Sequence, residues 1–435
     1  MPTFPRVSPG RWRERASRGL ISALSLLVFA FLDLVDFVLC FFFRFVDGVL
    51  EGNPIPCYCW NRREKQGSPD GVGEEEEVSE TLYGRRNLFR EIGLVSYGGR
   101  SGEKEGKGAS RSTRRWSDCG CESCISWQGK EEEKLYLMVR EPSQARNHWG
   151  NSFESVIFLH GFLSSSSLWL ETVFPNLSEV AKHNFRVFAV DLLGFGGSPK
   201  PTNCMYRLKE HLEMIEKSVV KPFQLSSFHL VAHSMGCIIA LALAAKYPES
   251  VKSITLIAPP YFSSTEVRAS HTALNRLAER KIWPPLLFGS AIMSWYEHLG
   301  RTVCFIYCRN HAMWEWILKL LTWRRDLNFM ITDLTKHTHH SAWHTMHNVI
   351  CGAMKLMDKH LEVVNEVGIS VKIIQGDRDQ VVPLECSYSM KSKLPLADLK
   401  IIANADHNTV MVGREKDFTR ELEQIWFTSI ESKLS

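Results

Sequence analysis

The sequence carries almost no surplus of charge: 52 Lys and Arg stand against 48 Asp and Glu, a formal +4 over 435 residues. A nucleic-acid binder needs a basic face that neutralises phosphates, and a surplus this small and evenly spread does not supply one. Nucleic acid is therefore excluded as a partner. The chain also lacks the excess of Gly, Pro or charge that marks fibrous or disordered proteins, and the repeated apolar runs of a polytopic membrane protein. Hydrophobic residues at 44% and charged residues at 23% are globular proportions. The spacings of a common zinc site are missing too. Five of the 12 cysteines, Cys57, Cys59, Cys119, Cys121 and Cys124, crowd together as C-x-C and C-x-C-x-x-C ahead of the regular pattern. They are expected to be disulfides or free thiols in preference to a metal knuckle. Cys237 and Cys351 read as packed core.

At the N-terminus, Arg6, Arg11, Arg13, Arg15 and Arg18 precede an uncharged run from Gly19 to Leu32. After Asp33 and Asp36 the chain returns to the apolar residues 37–43. Residues 1–50 therefore read as a signal or membrane-anchor segment, with the remainder exported. Each Asp costs roughly 2.5 to 3.5 kcal/mol at the centre of a spanning helix, so a span is strained. The three-residue spacing puts both on one helix face, which also suits a helix lying in the membrane interface. Cys40 is a candidate for lipid attachment or a small core residue.

Residues 51–120 are rich in Gly, Ser, Arg and Glu, include Glu74 to Glu77, and have almost no apolar periodicity, as in a linker. From there, short apolar runs alternate with helical patterns: Leu135 to Val139, Val156 to Leu159, Val187 to Val190, Phe228 to Ala232, Ile254 to Ile257, Val371 to Ile374 and Leu399 to Ile402. Strands separated by helices predict a mostly parallel α/β sheet with its ligand at the carboxyl ends of the strands. The expected divisions are a core in two parts, 121–262 and 366–435, interrupted by a helical cap at 263–365 after the sixth strand.

The strand Phe228 to Ala232 runs into His233-Ser234-Met235-Gly236 and then an apolar helix. A small residue, x, Ser, x, Gly between strand and helix is the setting of a nucleophile elbow, here with Ala232 in place of the first Gly. A serine hydroxyl needs a base and an orienting carboxylate, which in this architecture follow in the order Ser, Asp, His. His407 follows the last strand. The preceding strand leads into Gly376-Asp377-Arg378-Asp379, where Asp379 is the expected acid and Asp377 its rival. For the oxyanion, backbone donors are expected from Phe162, in the loop His160-Gly161-Phe162-Leu163, and from Met235. His160 and Asp191 are expected to brace their loops. Gly161, His233 and Gly236 shape the turns.

These motifs, with Asp191-x-x-Gly194-x-Gly196-x-Ser198, resemble the α/β-hydrolase superfamily from about residue 125 onward. The segment Asp33 to Cys40, the Cys57-Tyr58-Cys59 triplet and the His-rich stretch Lys336 to His347 look like the plant BODYGUARD group. That resemblance implies a lysophospholipase-like ester hydrolase in cuticle formation, located at the epidermal cell wall.

The insertion before Val371 holds Trp283, Trp295, Trp314, Trp316, Trp323 and Trp343, an aromatic content that suits a fatty acyl chain or simply packs the cap. His337, His340, His344 and His347 fall on one face of a helix, a metal-binding or pH-sensing pattern. No metal or cofactor is expected, because the serine mechanism requires none. The reading is a hydrolase of lipid-like carboxylic esters that associates with membrane or cell wall through its N-terminus. Two alternatives stand beside it: an acyltransferase with the same triad and an alcohol acceptor, and a non-catalytic ligand-binding member of the fold.

Overall fold

Runs of β-branched and aromatic residues form one sheet in the computed structural model, which describes residues 9–52, 58, 78–83, 87–91, 115–128, 134–143, 153–262 and 268–431. The strands are β1 (Leu137–Arg140), β2 (Glu154–Leu159), β3 (Phe185–Val190), β4 (Phe228–His233), β5 (Val251–Ile257), β6 (Ser370–Gly376) and β7 (Asp398–Ile402). Their order across the sheet is β1-β3-β2-β4-β5-β6-β7, with β1 antiparallel to β3 and every other pairing parallel. The chain leaves β2 toward β3 on one side and leaves β4 toward β5 on the other. The adjacent carboxyl ends of β2 and β4 therefore open a crevice, the usual ligand position in such a sheet.

The helices are α1 (Pro9–Glu51), α2 (Leu88–Glu91), α3 (Glu122–Gln128), α4 (Ser167–Thr172), α5 (Glu179–Asn184), α6 (Leu208–Ile215), α7 (Met235–Lys246) and α8 (Ala269–Leu277). They continue with α9 (Pro285–Trp295), α10 (Glu297–Ile306), α11 (His311–Thr322), α12 (Phe329–Asp333), α13 (His339–Thr345), α14 (Met354–Val367), α15 (Leu384–Lys393) and α16 (Glu415–Glu431). In α7 every residue from Met235 to Ala244 is buried, as expected of a helix that is apolar on all sides. It packs on the central strands in the larger core, which includes Ile157, Leu230 and Ile254. Phe158, Trp169, Phe418 and Trp426 anchor the core on the opposite face of the sheet.

Helices α8 to α14 lie between β5 and β6. Among the described residues this insertion follows the fifth strand, not the expected sixth, because a single antiparallel strand precedes the parallel run.

The stretch expected to be a linker is packed wherever it is described. Ser79 N–H donates to Asn348 Oδ1 (2.8 Å). Tyr58 hydroxyl lies 2.8 Å from His344 Nε2, and Leu82 is buried. Tertiary contacts order these pieces without any periodicity of their own. Cys57 and Cys59 lie outside the described residues, and no disulfide joins Cys119, Cys121 or Cys124.

Helix α1 docks on the cap through its acids. Asp36 Oδ1 accepts from the amides of His298 (3.1 Å) and Leu299 (3.4 Å), capping the start of α10 from outside. Asp47 makes a buried two-pronged ion pair with Arg301, both contacts 2.7 Å, and accepts from the Trp116 indole (2.6 Å). The Asp33 carbonyl accepts from the Asn87 side chain (2.9 Å) beside α2. Asp33 and Asp36 thus face protein, whereas Leu20, Leu27, Phe31, Val38, Phe45 and Val49 are exposed. Cys40 is 1% exposed, so its thiol is not presented for lipid attachment.

Candidate active site

Strand β4 is buried throughout and delivers the chain to Ser234, which adopts φ 53°, ψ −122°. A side-chain-bearing residue rarely occupies that region, and the surroundings must hold it there. The Ser234 N–H donates to Ile257 O (2.8 Å), and its carbonyl accepts from Cys237 N–H (2.9 Å). The turn is tight enough that a Cβ on Gly236 would lie 2.7 Å from the carbonyl oxygens of both Leu159 and His160. This close approach of backbone to backbone accounts for glycine two residues after the serine. Ala232, a small residue, fills the position two before it and is fully buried.

The loop after β6 turns Asp379 inward and leaves Asp377 exposed. Asp379 Oδ2 accepts from His407 Nδ1–H (2.7 Å) and from Gln375 Nε2 (2.9 Å). Its Oδ1 accepts from the amides of Val381 (2.8 Å) and Val382 (2.9 Å). Four donors around this carboxylate fix its orientation. With Nδ1 committed to Asp379, the other ring nitrogen of His407 is the one able to take a proton.

His233 joins base to nucleophile. Burial pushes its imidazole down to about 3, so the ring is neutral and donates Nε2–H to the His407 carbonyl (3.0 Å). The two rings are 4.7 Å apart. His407 is thereby seated against the residue that immediately precedes Ser234. A Ser234–His407 hydrogen bond is not among the contacts of the described side chains; such bonds are commonly long in a free enzyme and tighten with substrate.

A Cβ on Gly161 would sit 3.1 Å from the Ser234 Cβ, so the loop after β2 passes directly over the serine. Phe162 is the next residue of that loop. Met235 is the first residue of α7, where amides have no partner within the helix. His160 Nδ1–H donates to Gly161 O (2.7 Å), and its Nε2 accepts from Leu192 N–H (2.9 Å), which ties this loop to the one after β3. Asp191 accepts from the amides of Ser166 (2.6 Å) and Gly197 (2.7 Å). Both side chains tie neighbouring loops together.

Three further residues escaped the sequence reading. Gln375 links Asp379 to the Val382 carbonyl (3.1 Å) and accepts from Ser387 (2.9 Å). Its one signal was its position as the last side chain of β6. Buried Lys200 donates to the carbonyls of Gly196 (2.6 Å) and Ser198 (2.9 Å), and burial lowers it to about 8. Asp333 of the cap accepts from Ser165 Oγ (2.7 Å). Nothing local in the sequence pairs those two.

Ser234 itself is 8% exposed beneath the loop after β2. A cavity of about 210 Å³ lies where Arg276, Glu279, Pro284 and Leu287 of the cap meet Asp379, Gln380, Val381 and Pro383. The tryptophans do not form one acyl-binding wall. Trp343 is buried, but Trp283, Trp316 and Trp323 are 74%, 64% and 92% exposed and point to solvent. The histidine face is dispersed among separate partners: His337 meets Cys304 and Cys308, His340 the Cys204 carbonyl, His344 Tyr58, and His347 Thr81.

A family model described as the alpha/beta hydrolase fold matches residues 154–285. "Probable lysophospholipase BODYGUARD 4" of Arabidopsis thaliana is 48% identical over 411 residues, covering 93% of this chain and 96% of its own. "Probable lysophospholipase BODYGUARD 5" of the same plant is 48% identical over 436 residues, covering 96% and 97%. Among solved structures, MenH from S. aureus aligns with TM-score 0.46 at 14% identity, covering 69% of this chain and 99% of that one. An enol-lactonase from Burkholderia xenovorans LB400 aligns with TM-score 0.45 at 14% identity, covering 67% and 96%.

Proposed function

The chain belongs to the BODYGUARD group of α/β-hydrolase-fold proteins, and from that premise we propose that it is a serine hydrolase of lipid-like carboxylic esters, lysophospholipids among them. Ser234 Oγ attacks the ester carbonyl while His407 takes its proton. The amides of Phe162 and Met235 stabilise the oxyanion, and His407 returns the proton to the departing alcohol. Water, deprotonated by the same ring, then releases the fatty acid and restores Ser234. Asp379 holds the ring and offsets its charge. The observation that carries this reading is the 2.7 Å Asp379–His407 pair, seated by His233 beside a serine held at positive φ.

The exposed apolar residues of α1 support a membrane-associated protein, and the stretch Gly19–Glu51 is long and apolar enough to cross a membrane. Because its acids dock on the cap, we infer that α1 lies along the membrane interface with Leu20, Leu27, Phe31 and Phe45 in the lipid. We further propose a role outside the cell in forming the cuticle, which is what the resemblance noted in the sequence implies. The functional test is product analysis of the purified protein on a lysophosphatidylcholine, with and without a hydroxy fatty acid acceptor. Free fatty acid that depends on Ser234 supports hydrolysis, and acyl-hydroxy-acid ester formed in its place would make the enzyme a transferase. Turnover that persists in Ser234→Ala would overturn the proposal.

A further inference from the structure

The geometry points to a structural zinc site at Cys119, Cys121, Cys124 and His311, tying the segment 115–128 to the cap. One ligand atom from each of the four lies within 4.8 Å of all the others. Cys121 Sγ and Cys124 Sγ are 3.3 and 3.5 Å from His311 Nε2. In a tetrahedral zinc site with Zn–S of roughly 2.3 Å and Zn–N of roughly 2.0 Å, a sulfur and a nitrogen sit about 3.5 Å apart, close to both values. Three thiolates and one imidazole are a preferred ligand set for zinc.

The surroundings are those of a ligand site. His311 Nδ1 faces Glu315 Oε1 at 3.2 Å, so the ring presents Nε2 to the sulfurs, the carboxylate–histidine arrangement that orients metal-bound imidazoles. Cys121 N–H donates to Cys119 Sγ (3.4 Å), and Ser123 Oγ lies 3.2 Å from Cys121 Sγ. These contacts hold Cys119 and Cys121 just ahead of α3, whose first turn carries Cys124. The spacing C-x-C-x-x-C did not look like a zinc motif because its fourth ligand comes from α11, 187 residues beyond Cys124. Binding is balanced as Zn²⁺ plus three thiols and a neutral imidazole, with three protons released to solvent.

The same segment carries Trp116, which bonds Asp47 of α1, and Arg115, which bonds His340 of the cap (3.3 Å). Zinc would therefore clamp the junction at which α1, the segment 115–128 and the cap meet. A neighbouring buried trio, Cys304, Cys308 and His337, has Sγ–Nε2 distances of 3.5 and 3.7 Å. The decisive reading is therefore the change in metal on substitution, whatever the total.

The full chain, purified without chelator, is analysed for zinc by mass spectrometry of the elements, beside Cys124→Ser and His311→Ala. Each variant is expected to lose one ion per chain. Should either fail to fold, wild type loaded with cobalt(II) is expected to show the intense visible bands and thiolate charge transfer of a tetrahedral site. Zinc content unchanged in both folded variants would overturn the assignment. So would wild type that takes up neither zinc nor cobalt, or unreduced peptide maps joining Cys119 to Cys121 or Cys124.

Discussion

Asp377 and Asp379 are two residues apart and chemically identical, yet only the second lies against His407. Replacing Asp379 by Asn keeps its size but removes the charge that balances an imidazolium and disturbs the tautomer of the ring. The expected outcome is a loss of about ten-thousandfold in kcat on a chromogenic ester, with Asp377→Asn near wild type. Gly236 sets a steric limit at the same scale. A methyl there meets two backbone carbonyls at 2.7 Å, so Gly236→Ala is expected to cost about 1 to 3 kcal/mol of stability, read by thermal or denaturant unfolding. The proposed triad was legible in the sequence because each member follows a strand, and strand ends converge in a parallel sheet. Gln375, Lys200, Asp333 and His311 were not. Lys200 and Gln375 bond groups a few residues away that only the fold of their loops brings into reach, and Asp333 and His311 meet groups far along the chain; no local periodicity encodes either meeting.

Among the elements, α1 departs most from what its sequence suggests. A long apolar helix interrupted by acids reads as a strained span, but the acids cap α10 and pair with Arg301, so their polarity belongs to docking. The Asp47–Arg301 pair is buried on both sides. Arg301→Ala leaves a carboxylate without its cation and is expected to cost about 3 to 5 kcal/mol, detected as protease cleavage between α1 and the fold. Asp47→Leu combined with Arg301→Met should recover much of that loss.

The His-rich face of α13 and the turn beyond it hold the pieces of the N-terminal arm. Burial, opposed by the bond to the His340 carbonyl, holds His344 down to about 4. Above an ordinary histidine value of about 6.5 the ring is neutral whether the arm is docked or released. Between about 6.5 and 4 the released ring binds a proton that the docked ring refuses, so docking weakens as pH falls, by up to about 3 kcal/mol. His340, also lowered by burial, and Arg115 face the same ring and act in the same direction. Melting temperature followed from pH 7.5 to 4 should fall through this window, and less steeply in His344→Gln.

For the whole molecule, the sheet was readable strand by strand, since fully buried parallel strands appear as short apolar runs with helices between them. The internal arrangement of the helices between β5 and β6 was not readable. Apolar composition cannot say which tryptophans face the substrate, and three face solvent. An outward apolar face on α1 predicts that the full-length protein sediments with membranes and that carbonate at high pH releases it at least in part. Complete retention there would mean a spanning helix, and a protein recovered entirely in the soluble fraction without carbonate would remove the membrane reading.

The central claim is that Ser234 is a nucleophile made reactive by His407 and Asp379. Labelling by a fluorophosphonate probe tests it most directly, with wild type beside folded Ser234→Ala and Asp379→Asn. The expected result is covalent labelling of wild type at Ser234, none in Ser234→Ala, and strongly slowed labelling in Asp379→Asn. Equal labelling of wild type and Ser234→Ala, or no labelling of a folded wild type, would contradict it.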